Sequence, residues 1–271
     1  MKKPPELQNL RLEKSEINQK PGFASKAMVS AVKVDVPKSI LDLPVKEAYQ
    51  VQWDAQWNDE GIKFSPLSVD IEGLNVKLNG KIAGNVLDEK SDLRLDSEAQ
   101  LSSNLATFLS AHFNQSDSSG DVLASAKVTA KLRDFENTLK ASYQVTGKDL
   151  AWKEMKVSYL HSDGVVNLAA NQISIKGLNA LSPVPEDKKS EPGEVSVENL
   201  VLPLKFDQPF DTKLKFKHAD FHWLGGVVLK EIFMLEGSLN GEMKAHFTPG
   251  RPNEKKSWKA VAEADLVVDR F

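Results

Sequence analysis

Histidines and carboxylates at alternating positions are the first candidates for chemistry in this chain. His218, Asp220 and His222 would share one face of a strand, and two imidazoles with a carboxylate form a zinc-ligating set. A solvated strand face accounts for the same spacing, so no metal ligand is assigned. Asp96 and Glu98 fall on the polar side of one alternating run, and Glu194 and Glu198 flank Ser196 on another. Paired carboxylates serve general acid–base chemistry when the environment of one raises its pKa. On a water-facing strand they keep the sheet soluble, and no catalytic residue is assigned. No Gly-x-Ser-x-Gly elbow, P-loop or dinucleotide fingerprint is present, and no cofactor is expected. The residues read as those of a protein that is not an enzyme.

Composition narrows the classes further. The chain has 271 residues, and 35 Lys and Arg against 38 Asp and Glu give a formal charge of -3. That balance supplies no basic field for a phosphate backbone, so nucleic acid is not an expected partner. Cysteine is absent, which removes disulfides, thiolate nucleophiles and cysteine metal sites together. No apolar run approaches the ~18–20 residues of a membrane-spanning helix. The opening Met1-Lys2-Lys3-Pro4-Pro5-Glu6 has no apolar stretch after its lysines and does not read as a signal peptide. The pattern over 258–271 reads as a strand that stops at Phe271, as in a piece of a longer protein.

What must position any functional residue is a set of strands, because period-two alternation dominates. Tyr49, Val51, Trp53, Ala55 and Trp57 alternate with Gln50, Gln52, Asp54 and Gln56. Val122, Ala124, Ala126, Val128, Ala130 and Leu132 oppose Ser125, Lys127, Thr129 and Lys131. Leu139, Ala141, Tyr143 and Val145 form a third apolar side, and Leu239, Met243, Ala245 and Phe247 a fourth. Similar runs occur near 28–36, 67–82, 93–101, 155–160, 173–178, 195–206, 214–223 and 258–268, about a dozen strands in all. Apolar parity flips inside some runs: Leu67, Val69 and Ile71 give way to Leu74, Val76 and Leu78 across Gly73, and Val195 and Val197 to Leu200, Leu202 and Leu204. Such slips predict bulges or bends, as at Gly73, in strands that curve.

Helices are predicted at 103–113 (SNLATFLSAHF) and 224–235, from apolar residues at spacings of three and four. Loops are predicted at 114–120, 183–193 and 249–257. An internal echo links the two helical segments. Asn104-Leu105, Gly120 and the strand after it correspond to Asp220-Phe221, Gly237 and the next strand, with the glycines 117 positions apart (237 minus 120).

A one-sided sheet of a dozen strands at ~4.8 Å spacing, each with ~15 Å of apolar length, presents on the order of 800–900 Å². That exceeds the roughly 300–600 Å² patch a soluble monomer leaves bare. A sandwich, a closed barrel or a bound ligand would cover it. Ala124, Ala126, Ala130, Ala141, Ala169, Ala245, Ala260, Ala262 and Ala264 leave a channel where a packed core would want bulk. Trp53 and Trp57, on one face, are placed to grip an apolar ligand or a sugar. The expected fold is therefore all-β and mainly antiparallel: a long, curved, twisted sheet forming an open hydrophobic groove, with two short helices. A β-sandwich that binds protein is the alternative.

The segment SNLATFLSAHFNQSDSSGDVLASAKVTAKL resembles the unit that recurs in TamB and AsmA-like proteins, the bacterial repeating β-groove family. LEGSLNGEMKAHF (235–247) is similar to their Gly-x-Leu-x-Gly strand openings, as is LNVKLNGKIAG (74–84). The resemblance covers 67–271 in patches and places repeat-like units near 67–132 and 195–247 of one continuous groove segment. It implies a periplasmic protein, anchored to the inner membrane through a segment outside this chain. A groove of that kind carries phospholipid acyl chains toward the outer membrane and supports outer-membrane biogenesis. An outer-membrane β-barrel partner would contact parts outside this chain. The acyl chains would lie on the apolar positions of the 122–132, 139–145 and 239–247 runs.

Overall fold

A computed structural model describes residues 6–18, 23–35, 49–58, 60–85, 88, 90–153, 155–183, 191–204, 208–221, 223–224, 237–249 and 258–269. Internal contacts divide the chain into two compact units, Met1–Leu139 and Lys140–Phe271. The first holds β1 (Glu6–Asn18), β2 (Phe23–Asp35), β3 (Tyr49–Asn58), β4 (Gly61–Ile71), β5 (Leu74–Ala83), β6 (Arg94–Asn104) and β7 (Ser118–Lys131). Helix α1 (Leu105–Phe113) lies between β6 and β7, and α2 (Phe135–Thr138) follows β7. The second holds β8 (Lys140–Trp152), β9 (Met155–Asn167), β10 (Gln172–Leu181), β11 (Glu194–Pro203), β12 (Phe210–Asp220), β13 (Ser238–Pro249) and β14 (Trp258–Asp269).

Within each unit the strands pair antiparallel with their neighbours in sequence, β1 through β7 and β8 through β14. Sequential strands are usually neighbours in space, and a two-residue connection such as Glu72-Gly73 admits antiparallel pairing alone. Each unit is an open antiparallel sheet, as the alternation predicts. Among the described residues only Ala130, Val157, Val197, Ala219, Leu239 and Ala245 are buried apolar residues, and the bulkiest wholly buried side chain is Ser238. Those few residues do not make a sandwich core, and within each unit the extensive contacts are between neighbouring strands or between a helix and its adjoining strands.

The parity flips resolve in two ways. Across Gly73 there is no bulge: Glu72-Gly73 is the turn of a hairpin in which Ile71 pairs with Leu74. Gly73 has φ 77, the left-handed region where a Cβ is strained. The 67–82 run is therefore two strands. With β1, whose apolar residues are diluted by Glu6, Arg11, Glu13, Lys14 and Glu16, this raises the dozen expected strands to fourteen. Elsewhere the backbone does absorb the odd residue. β4 shifts register against both neighbours between Phe64 and Leu67, at Ser65-Pro66, where a missing N–H is tolerated. β10 shifts against β9 between Ile175 and Gly177, and β12 against β13 between Phe216 and Ala219. Asp149, Asn199 and His218 adopt φ 50, 54 and 47, one in each of β8, β11 and β12. Each irregularity returns the next apolar residue to the same face.

Helix α1 arises where predicted. Its N-cap Asn104 accepts the Thr107 N–H at 3.0 Å, and Asn114 closes it at φ 54. Replacing Asn104 by alanine is expected to cost about 1 kcal/mol of the first unit's stability, read by urea denaturation. The second predicted helix lies outside the described residues apart from Leu224, which is helical together with Phe221 and Trp223. A short helix the sequence did not suggest, α2, follows a 3-10 turn at Leu132–Asp134.

Candidate functional site

The candidate site is the apolar face of each unit, assembled by register. In the first unit Val69, Val76, Leu101 and Ala124 align across β4–β7, and the next row is Leu67, Leu78, Ala99 and Ala126. Ile62, Ile82, Leu95 and Ala130 form another. The register continues outward through Val51 and Val29 to Leu12. Along β6 and β7 the apolar side is half-buried or buried at every position, and its opposite, from Arg94 to Ser102 and from Asp121 to Thr129, is exposed. Half-burial here comes from neighbours on the same sheet, since among the described residues no second layer lies over it.

The second unit repeats the arrangement. Val145, Ser162, Leu178, Val197, Leu214, Met243 and Ala264 align across all seven strands. Ala141 stands opposite Val166, and Tyr143 opposite Gly164. A Cβ on Gly164 would lie 2.2 Å from the Ser174 carbonyl oxygen and within 3.0 Å of the Tyr143 ring, so a side chain fits neither the strand beside it nor the tyrosine opposite. Phe247 stacks on Phe210 with ring centroids 4.9 Å apart.

The predicted contact residues fall into three groups. Val122, Ala124, Ala126, Val128, Ala141, Tyr143, Val145, Met243 and Phe247 are half-buried on an apolar face. Ala130, Leu239 and Ala245 share those faces but are 6%, 7% and 5% exposed, covered by their neighbours. Leu132 and Leu139 leave the strand pattern. Leu132 opens the 3-10 turn, and Leu139 caps α2 through its N–H to the Phe135 carbonyl, because the chain reverses there instead of running on in strand. Leu78, Leu101, Phe210 and Leu214 belong to the same faces. Their alternation marks them as strongly as the chosen positions, but only pairing register shows that they line one surface.

The opposite faces are charged and self-neutralising. Lys127 meets Glu98 at 3.0 Å, Lys213 meets Glu242 at 2.6 Å, Lys215 meets Glu198 at 3.1 Å and Lys217 meets Glu191 at 3.0 Å. These partners are exposed to water, and each pair adds little stability. The Lys213 hydrogen bond lowers the Glu242 carboxyl below glutamate's ordinary value, and Lys217 does the same for Glu191. A group with a lowered folded pKa stabilises above its unfolded pKa, and that contribution is lost as pH falls through the folded value. An NMR titration is expected to place Glu242 low in the folded chain and to raise it in Lys213→Met.

Several of the polar candidates have partners of their own. Glu198 is taken up by Lys215 and Glu98 by Lys127. His218 lies in the β12 irregularity and its N–H donates to Asn240 Oδ1 at 2.8 Å. Asp220 Oδ1 accepts the Trp223 N–H at 3.2 Å, and His222 is outside the described residues. The two nearest ends of the echo do correspond. Asp220 caps three residues ahead as Asn104 does, and Gly120 and Gly237 both take positive φ, 110 and 126. At the second, Trp223 Nε1 also donates to the Lys156 carbonyl at 2.7 Å, tying the helical residues to β9.

Pairing the apolar rows with charged backs gives a surface that can hold extended hydrocarbon. No family model matches the chain, and neither a curated protein nor a solved structure matches it.

Proposed function

We propose that this chain is a lipid-transport segment that carries phospholipid acyl chains along its apolar sheet face. The observation that carries the reading is the continuous in-register apolar surface, uncovered by any second layer among the described residues. Each unit's seven strands at ~4.8 Å spacing span about 29 Å, wide enough for acyl chains to lie across several rows. Burial of hydrocarbon contributes about 0.8 kcal/mol per methylene, so a long chain binds well without any polar anchor. The small residues at Ala99, Ala124 and Ala126 keep the surface low where chains would pass. The likeness to the repeating β-groove family supports a place in the periplasm, with traffic from the inner to the outer membrane and an inner-membrane anchor.

The test is native mass spectrometry of the purified chain, followed by photocrosslinking from Ala124 and Met243. Co-purified phospholipid that crosslinks at both positions is expected. A lipid-free chain that also takes up no phospholipid from vesicles would end the reading.

A further inference from the structure

We infer that the charged face of the first unit binds a phosphate group over the β4–β5 pair, held by Lys63, Lys81 and Asn79. Lys63 and Lys81 alternate with Ile62 and Ile82, so they stand on the face opposite the apolar rows, and register sets them directly across from each other. Like charges so placed, with Cβ atoms about 4.5–5.5 Å apart, destabilise the pairing. The second unit shows one remedy: Lys213 also stands opposite Lys244, but Glu242 reaches Lys213 at 2.6 Å. Neither Lys63 nor Lys81 has an ion pair among the described residues. The carboxylates beside them act on β7 instead. Asp96 is in register with Lys81, and Glu98 follows it on the same side of β6. Glu98 meets Lys127 at 3.0 Å, and its hydrogen bond, with a smaller contribution from Asp96, holds the Lys127 ammonium above lysine's ordinary value. The charged face therefore neutralises itself at Lys127 but not at Lys63 and Lys81.

These residues surround a hollow of about 320 Å³, beside the register shift at Ser65-Pro66, whose lining includes Lys63, Ser65, Asn79, Lys81, Asp96 and Glu98. That volume lies within the ~300–1,000 Å³ of small-molecule sites. Ser65 Oγ donates to Asn79 Oδ1 at 3.1 Å, which orients the Asn79 amide and leaves its N–H groups without an acceptor among the described residues. Two ammonium groups and an amide thus line one hollow from three positions on β4 and β5. A carboxylate brings two oxygens in one plane; a phosphate ester brings up to three around a tetrahedral centre and accepts lysine as a point charge. Its negative charge offsets the repulsion between Lys63 and Lys81. Two sources share this chemistry, a free phosphate ester and the headgroup of a phospholipid in a bilayer.

The experiment is calorimetry of the whole chain with inorganic phosphate, with glycerol phosphate, and with vesicles of phosphatidylglycerol and phosphatidylcholine. Saturable binding is expected, weakened about tenfold or more in Lys63→Gln and in Lys81→Gln. Lys213→Gln removes the same charge from a paired lysine and should bind as the parent does. Binding of the soluble phosphates identifies a free ester; binding of the vesicles alone, lost in the same two variants, identifies a headgroup. Thermal melting separates a ligand site from a structural role. Without ligand, Lys63→Gln should melt no lower than the parent, because a repulsion is removed, and the ligand that binds should raise the melting temperature of the parent alone. No binding of any probe, parent-like binding in either lysine variant, or an equal loss in Lys213→Gln overturns the proposal, the last by reducing it to general charge attraction. Acyl-chain crosslinking from Ala124 reads the opposite face, so failure here is distinct from failure of the transport reading.

Discussion

Arginine at Ala126 or at Ala141 is expected to abolish acyl-chain capture while each unit stays folded. Ala126 pairs with Ala99 on one side of the first unit's apolar face, and Ala141 pairs with Val166 in the second. Both are half-buried by neighbours on their own sheet. An unpaired charge in a closed core costs several kcal/mol, enough to unfold a marginal domain. On an uncovered face the arginine stem lies along the apolar rows and the guanidinium reaches water, so stability should change by less than about 1 kcal/mol. The same charge would stand in the path of hydrocarbon, and lipid crosslinking should fall by at least about tenfold, a loss of 1.4 kcal/mol or more. Crosslinking and thermal melting are read on the same samples. Collapse of both variants would reveal a closed core; full lipid capture by folded variants would move the binding surface elsewhere.

Valine at Gly73 is expected to destabilise the first unit by about 3 kcal/mol or more. Two costs coincide there. The residue holds φ 77, which a β-branched side chain resists. A Cβ would also lie 2.4 Å from the Phe108 backbone nitrogen, where α1 crosses the β4–β5 turn. The helix would have to move, and the Gly73 carbonyl, which accepts the Asn104 N–H at 3.0 Å and the Ser103 hydroxyl at 2.9 Å, would lose its partners. Urea denaturation of Gly73→Val, Gly73→Ala and Gly73→Asn separates the causes. Asparagine tolerates the left-handed region, so if the contact dominates it should be as harmful as alanine. A valine variant as stable as the parent would mean that α1 is not docked on this turn.

The alternation of Val122 to Ala130 against Asp121 to Thr129 was enough to identify β7 and its two faces, because a half-buried strand repeats every two residues. The same holds for β6, β8 and β13. Hairpin and bulge were harder to separate at Gly73, since both shift apolar parity by one, and only the pairing of Ile71 with Leu74 distinguishes them. The end of β7 at Lys131 was hidden because Leu132, which opens the 3-10 turn, continues the strand's parity. The turn there is held through tertiary and local bonds, among them Thr138 Oγ1 accepting the Lys131 N–H at 2.8 Å.

By itself the sequence determined the fold class: many antiparallel strands, each apolar on one side, without cysteine chemistry. Local periodicity and composition suffice for that, because they act within single strands. Register was decided by tertiary structure alone. It places Val145, Leu178, Leu214 and Met243, spread over 99 residues (145 to 243), in one row, and it sets Asp265 against Glu242. A strand carries no mark of which neighbour it meets or at what offset. Those are chosen by the turns, by the irregularities at Ser65-Pro66 and His218, and by the gain from keeping every apolar residue on one side.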